Sequence, residues 1–477
     1  MADSIVKGSF YLTLATAFYL AANYVVYFLL SRSFTPAEFG VYGIVTTLVS
    51  TVGMLLASSI EPAASKFASE TNASVGKVSR AVFSLTLKIS FALFAVVFLL
   101  ADFIALAFND SSLATPIRLA SLFIVFAPLF SSGTGLLSGT RHFLKQSASI
   151  TAYSIIRVLL IIGFVLLGFS VLGALAGVVL SVMAISVIVW LLNKPAFEKA
   201  GTSQLQKRVL PFLLPLMLLA LLTNFLTNFD LFAVKALSAP GVSSINAGFY
   251  AAASLLSKIP LLLISAVSIV VIPVISRQGF ARLENTQKII RTTMRYSLMI
   301  LAPIVLALAF TSQEVIQLFY SAKFLPAAEP FTILVLGIGL FSLATVAFNI
   351  MIALGRPKIP TIITLFSLII AVALSIALVP LISMRGAAIA TAVAGAFAFA
   401  CAAFYLIFRL KALMSWISLA RIAIAACLTA FALGFWQVGG LLLVLKYLAF
   451  LILYCFLLVA LKEFKKEDWN FFLGIVK

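Results

Sequence analysis

Side chains that bind metal or form disulfides are scarce in this 477-residue chain: one histidine, three cysteines, and only 10% of residues charged. Cys401, Cys427 and Cys455 stand inside apolar runs without metal-ligand spacing, so neither a disulfide framework nor a metal centre is expected. His142, in a short basic loop, reads as a solvated loop residue. No Walker-type phosphate loop occurs, which excludes nucleotide hydrolysis by the chain itself. Glu38, Asp102, Asp110, Glu314 and Glu329 are dispersed among predicted loops rather than paired. With no nucleophile-base constellation, catalysis is not expected and no cofactor is implied.

What the chain has in quantity is apolar surface. Hydrophobic residues make up 63% of it, and 43 residues are Phe, too much for a soluble domain to bury against itself. Apolar runs of bilayer-crossing length recur throughout. The first, roughly Ser9 to Leu30, is too long for a signal-peptide core and lacks a small-residue cleavage site, so it reads as a retained span. Breaks in the pattern give an all-α, polytopic membrane protein of fourteen transmembrane helices. They begin near residues 9, 39, 81, 119, 147, 171, 209, 248, 293, 326, 358, 386, 418 and 439.

Charge orients these helices. If the N-terminus and alternate loops are cytoplasmic, those segments carry 24 of the 33 Lys and Arg, including "KVSR", "RHFLK", "RQGFARLENTQKIIR", "GRPK" and the "KEFKKEDW" tail. The opposite loops hold only Arg32, Arg118, Lys235, Lys323 and Arg385. The positive-inside rule then places both termini in the cytoplasm of a multi-pass cell-membrane protein. Topology and anionic lipid headgroups account for the net charge of +19, so no nucleic-acid partner is expected.

The chain also repeats itself. "EFGVYGI" parallels "NAGFYAA", with Gly40/Gly248 and Tyr42/Tyr250 offset by 208 residues. "LSGTRHFLKQSASI" parallels "IALGRPKIPTIITL" and "VLGALAGVVLS" parallels "MRGAAIATAVAG", pairing Gly139 with Gly355 and Gly173 with Gly386. Six spans separate equivalent elements, so the halves insert in the same orientation as parallel repeats. The expected organisation is a six-helix lobe over residues 1–192, a cytoplasmic linker over 193–208 and a second six-helix lobe over 209–410. Two additional helices and a cytoplasmic tail follow over 411–477.

Against this background the stretch "LLTNFLTNFDLFAVK", Leu221 to Lys235, stands out. At 100° per residue Thr223, Asn224, Thr227, Asn228, Asp230 and Lys235 fall within an arc of roughly 160°, giving one polar side to an apolar helix. The equivalent first span has its own stripe of Thr16, Tyr19, Asn23 and Tyr27, with Asn23 opposite Asp230. Two equivalent wet faces suggest a polar, basic cavity shared by the lobes, with Asp230 facing it. Ionisable groups within spans are functional candidates by default. Arg157 and Lys258, each about ten residues into a span, read as anion contacts or as structural ion-pair members. Asp230 has the same two readings, and Asn224 and Asn228 can also bond helix to helix. Lys88, nearer a cytoplasmic end, favours snorkelling, and Lys446 reads as a lipid-interface residue. Four bases against one acid within spans suit an anionic cargo.

"LLSRSFTPAEFGVYGIVTTLVSTVGMLLASSIEPAASKFASE" resembles the first hairpin of the polysaccharide-biosynthesis and O-antigen-type flippases of the multidrug/oligosaccharidyl-lipid/polysaccharide exporter superfamily. Pro36, Glu38, Phe39, Gly40 and Tyr42 carry its pattern, and "LSGTRHFLKQ" and "IALGRPKIP" resemble that family's cytoplasmic turns. The resemblance extends over essentially the whole chain. It implies a flippase, not an enzyme, that moves a lipid-linked oligosaccharide on a polyprenyl phosphate or pyrophosphate between leaflets by alternating access. Membrane lipids and envelope polysaccharide-synthesis proteins would be its other partners. The peptidoglycan-precursor branch places Arg in its first span, where this chain has Asn23 and tyrosines, which counts against that cargo. Two alternatives share these features: a cation-coupled drug or small-solute antiporter of the same superfamily, and a non-transporting scaffold for envelope synthesis.

Overall fold

The computed structural model describes residues 2–70, 75–193, 202–239, 241–264, 283–412, 414–434, 436, 440 and 442–464. Half of the expected 193–208 linker, part of the "RQGFARLENTQKIIR" loop and the tail from residue 465 lie outside the described residues.

Among the described residues, thirteen helices are long and apolar enough to cross a membrane. They are α1 (Ala2–Ser33), α2 (Pro36–Glu70), α3 (Val75–Leu99), α5 (Ala114–Gly139), α6 (Phe143–Leu166), α7 (Ser170–Asn193), α8 (Thr202–Leu237) and α9 (Ser243–Ser257, its span continuing to residue 264). Then come α10 (Leu283–Phe310), α12 (Ala328–Ala353), α13 (Lys358–Phe408), α14 (Trp416–Gly434) and α15 (Leu442–Ala460); short helices α4 (Ala101–Ala107) and α11 (Ser312–Tyr320) lie between spans. The 51 residues of α13 would reach about 76 Å if straight, more than twice a bilayer core. The helix is instead broken at Ile382 and Ser383, the latter at φ +48°. Its two arms correspond to the spans expected from 358 and 386, so the thirteen helices are compatible with the fourteen expected spans.

Local chemistry explains how α2 begins. The Thr35 backbone N–H and hydroxyl donate to Glu38 Oε2, both at 2.9 Å, while the Glu38 N–H donates to Thr35 Oγ1 at 3.3 Å. This reciprocal capping box has Pro36 at the first helical position, where a missing N–H costs nothing.

The duplication persists in backbone detail. Ser170 and Ser383 both adopt left-handed φ, +46° and +48°, three residues before Gly173 and Gly386. The cytoplasmic turns also match, but in a different register from the one expected. Left-handed backbone falls at Arg141 and Gly355, and the flanking bonds His142 N–H to Leu137 O and Arg356 N–H to Met351 O are equivalent. Arg141, not Gly139, is therefore the partner of Gly355. Gly139 serves helix packing, since a Cβ there would lie 2.4 Å from the Ser65 carbonyl oxygen on α2.

The chain forms two compact units, Met1–Asn228 with Lys235–Gly248, and Phe229–Val234 with Phe249–Lys477. In the first, Leu56 and Ile60 of α2, Val78 and Val82 of α3, and Leu136 of α5 pack with Val209 and Leu213 of α8. Gly40 and Gly248, equivalents in the repeat, meet here: a Cβ on Gly40 would lie 2.0 Å from Ser244 O, and one on Gly248 would lie 1.8 Å from Pro36 O. In the second, α14 and α15 pack on α10 through Ile422, Ala425, Tyr454, Leu458, Tyr296 and Met299. Helices in lipid associate by such close packing, because lipid tails are as apolar as leucine.

Candidate functional site

Helical spacing assembles a cluster around Arg157 in the first unit. Tyr153 and Arg157 are four residues apart on α6, and Tyr19, Asn23 and Tyr27 follow the same spacing on α1. Tyr19 stacks with Tyr153 at 6.0 Å between ring centroids, and Tyr27 meets Tyr42 of α2 edge-on at 5.8 Å. Arg157 lies within electrostatic reach of Tyr19, Tyr27, Tyr42 and Tyr153. Counting from Phe143 to Arg157, the guanidinium belongs to a residue about 21 Å along the helix axis. Among the described residues Arg157 forms no ion pair, and its Nε atom is buried without a hydrogen-bond partner. The guanidinium and the Tyr42 hydroxyl face one another, so the Arg157 Nε is the donor of this cluster left unspent, and unsatisfied buried donors are costly.

A second cluster surrounds Asp230 in the other unit. Asp230 is 3% exposed. Its Oδ2 accepts from the hydroxyls of Tyr250 at 2.8 Å and Thr391 at 3.1 Å, and its Oδ1 from the Leu231 N–H at 2.8 Å. Lys258 is close enough for its charge to act on Asp230. It stands between Ser257, the last residue of α9, and the helical stretch 259–264, where Pro260 removes a backbone donor. The carboxylate thus ties α8 to α9 and to the second arm of α13.

The remaining candidates are less engaged with either cluster. Asn224 and Asn228 donate to the carbonyls of Ala220 and Asn224 at 2.8 and 2.9 Å, one turn back on their own helix. Thr227 does likewise to Thr223 O at 3.0 Å, so the polar stripe of α8 largely satisfies its own backbone and stays half-buried. Asn23 is half-buried, one turn from both Tyr19 and Tyr27 on α1, and Lys88 is exposed on α3.

Loop and interface assignments change for several charges. Lys446 is no lipid-interface residue: it is 1% exposed and its Nζ donates to both oxygens of Glu314, at 2.9 and 2.8 Å. Lys235 belongs to the end of α8, not a loop, and is 1% exposed with Asp110 at 2.7 Å and Ser244 Oγ at 2.6 Å. Glu61 lies within α2 and accepts from the Thr134 hydroxyl and the Gln146 amide at 3.4 and 3.5 Å. The dispersed loop acids are structural clips: Asp102 pairs with Arg118, Glu329 with Arg385, and Glu38 accepts from Ser170 at 2.8 Å. Burial pushes the Asp110 carboxyl up, but Lys235 and the Ser112 hydroxyl outweigh it and hold Asp110 below its ordinary value.

Tyr19 and Tyr27 are legible in the stripe of the first span, but Tyr42, Tyr153 and Tyr250 are not legible there as site residues. Tyr42 and Tyr250, both 0% exposed, were visible only as repeat markers, yet each stands beside the buried charge of its own unit. Their shared offset of 208 is the signal that could have found them. Among the described residues no group of three or more His, Cys, Asp or Glu could hold a metal ion.

Comparison with known proteins bears on the fold and family. The structure resembles the lipid II flippase MurJ in an inward closed conformation, with a TM-score of 0.79 and 17% identity over 98% of this chain and 99% of that one. It also resembles an inward-facing multidrug resistance transporter of the MATE family, in the MOP superfamily, with a TM-score of 0.67 and 16% identity over 86% and 98% of the two chains. Such low identities establish a shared fold. An uncharacterized membrane protein of Methanocaldococcus jannaschii is 32% identical over 96 residues, 20% of this chain and 19% of that protein. The family described as polysaccharide biosynthesis protein matches residues 5–278, more than half of the sequence, and the chain belongs to that family.

Proposed function

We propose that this protein is a flippase that carries a lipid-linked oligosaccharide, on a polyprenyl phosphate or pyrophosphate, from the cytoplasmic to the outer leaflet of the cell membrane. The observation that carries the reading is Arg157: a guanidinium deep in a span, without an ion-pair partner among the described residues, with a buried unspent donor and four tyrosines around it. A guanidinium offers a phosphate two parallel N–H groups, and tyrosine rings and hydroxyls suit the faces and edges of sugars. Family membership supports a role in polysaccharide synthesis, and the shared fold supports alternating access. Asp230 and Lys258 act in this reading as a charge pair that shapes the second repeat, with both termini in the cytoplasm.

The test is leaflet exposure of lipid-linked oligosaccharide in cells lacking the protein, complemented with wild type or Arg157→Ala. Cargo trapped on the cytoplasmic face and released by wild type alone supports both flippase and site. Release by both keeps the flippase and removes Arg157 from the site. Normal outer-leaflet cargo without the protein refutes the flippase reading.

A further inference from the structure

In the second unit, the third and fourth turns of α10 and the start of α14 meet the chain leaving α15 around a cavity of about 450 Å³. Arg291, Arg295, Arg421, Ser415, Ser418 and Glu463 line it. Glu463 is its one carboxylate and is already engaged: it pairs with Arg295 Nε at 2.7 Å and accepts from the Ser418 hydroxyl, with Arg421 Nη1 more distant at 3.7 Å. Arg295 also donates to the Glu463 carbonyl. Three arginines against one glutamate leave two positive charges in excess.

The two outer arginines have capacity to spare. Arg291 donates through Nη2 to the Lys411 carbonyl at 2.7 Å, and Arg421 through Nη1 to the Lys462 carbonyl at 3.3 Å. Each guanidinium carries five N–H donors, so most of the fork on both side chains faces other directions. The Ser415 hydroxyl accepts from the Ser418 N–H at 3.3 Å and caps the start of α14, whose amide end adds partial positive charge. The cavity lies near the start of α14 and the end of α15, close to Trp416, which is 73% exposed. Exposed Trp at the end of a membrane-length helix is characteristic of the headgroup region.

We infer that this cavity is a binding site for a phosphate group, separate from the Arg157 cluster, held by Arg291 and Arg421 over the Arg295–Glu463 pair. Lys would serve less well than these arginines, because a planar fork matches two phosphate oxygens at once. The phosphate has two sources, an anionic phospholipid headgroup or a soluble phosphate, and the charge excess favours either over a zwitterion.

The test uses the full-length protein in nanodiscs of phosphatidylcholine containing phosphatidylglycerol, with co-purifying lipid read by native mass spectrometry. Inorganic phosphate is the soluble probe, read by thermal shift. Arg291→Gln and Arg421→Gln are made singly and together; neither removes the close partner of Glu463. Loss of about fivefold in phosphatidylglycerol retention per arginine, with phosphatidylcholine unchanged, supports a lipid phosphate. Unchanged lipid with loss of the phosphate-induced shift supports a soluble phosphate. Variants that keep both responses overturn the site.

Discussion

At the residue scale, buried charges fall into two kinds, and the difference predicts different mutant phenotypes. Lys446 and Glu314 complete each other, so Glu314→Ala leaves an uncompensated ammonium and costs about 3–5 kcal/mol, whereas Glu314→Leu with Lys446→Met recovers most of that loss. Thermal unfolding of the single and double variants checks this. Arg157 has no such partner among the described residues, so Arg157→Gln leaves the melting temperature close to wild type. Cargo flipping falls about 10- to 100-fold, the worth of a charge-assisted hydrogen bond to phosphate. The Asp110–Lys235 pair carries a pH signature. Asp110 is held below its ordinary value, so its contribution is present above the unfolded carboxyl's pKa of about 4 and is lost as pH falls through the folded value. The stability gap between wild type and Asp110→Asn is therefore full at neutral pH and closes in acid, as melting curves across pH 3–7 would show.

At the element scale, close helix contacts depend on missing side chains. A Cβ on Gly40 would fall 2.0 Å from Ser244 O, which is backbone and cannot swing away, so Gly40→Ala costs at least about 1–3 kcal/mol of overpacking. Gly163 has nothing within 4 Å of a built Cβ, and Gly163→Ala is the matched control, expected neutral or slightly stabilising. Comparing their unfolding temperatures in one detergent separates packing from helix propensity. The breaks at Ser383 and at Lys258–Pro260 show the complementary device: a helix interrupted where backbone must turn or where a charge must sit.

At the scale of the whole molecule, the charge asymmetry makes a topological prediction. In a background without Cys401, Cys427 and Cys455, cysteines at Lys145 and Arg356 are labelled only from the cytoplasm and one at Ser112 only from outside. Labelling of Lys145→Cys from outside would reverse the orientation, and with it the proposed direction of flipping.

The sequence by itself determined the all-helical, polytopic class and the family, because both depend on composition, period and spacing along the chain. It also placed Arg157, Lys258 and Asp230 within apolar spans, where water cannot satisfy them. Only tertiary structure decided what those charges meet. Asp230 finds Tyr250 and Thr391, the latter 161 residues away, and Lys446 finds Glu314, 132 away; no local pattern encodes such partners. Arg157 was equally legible as an ion-pair member until packing put tyrosines rather than carboxylates around it. Hydrophobicity fixes which segments enter the bilayer, but the pairing of charges inside it depends on which helix faces touch.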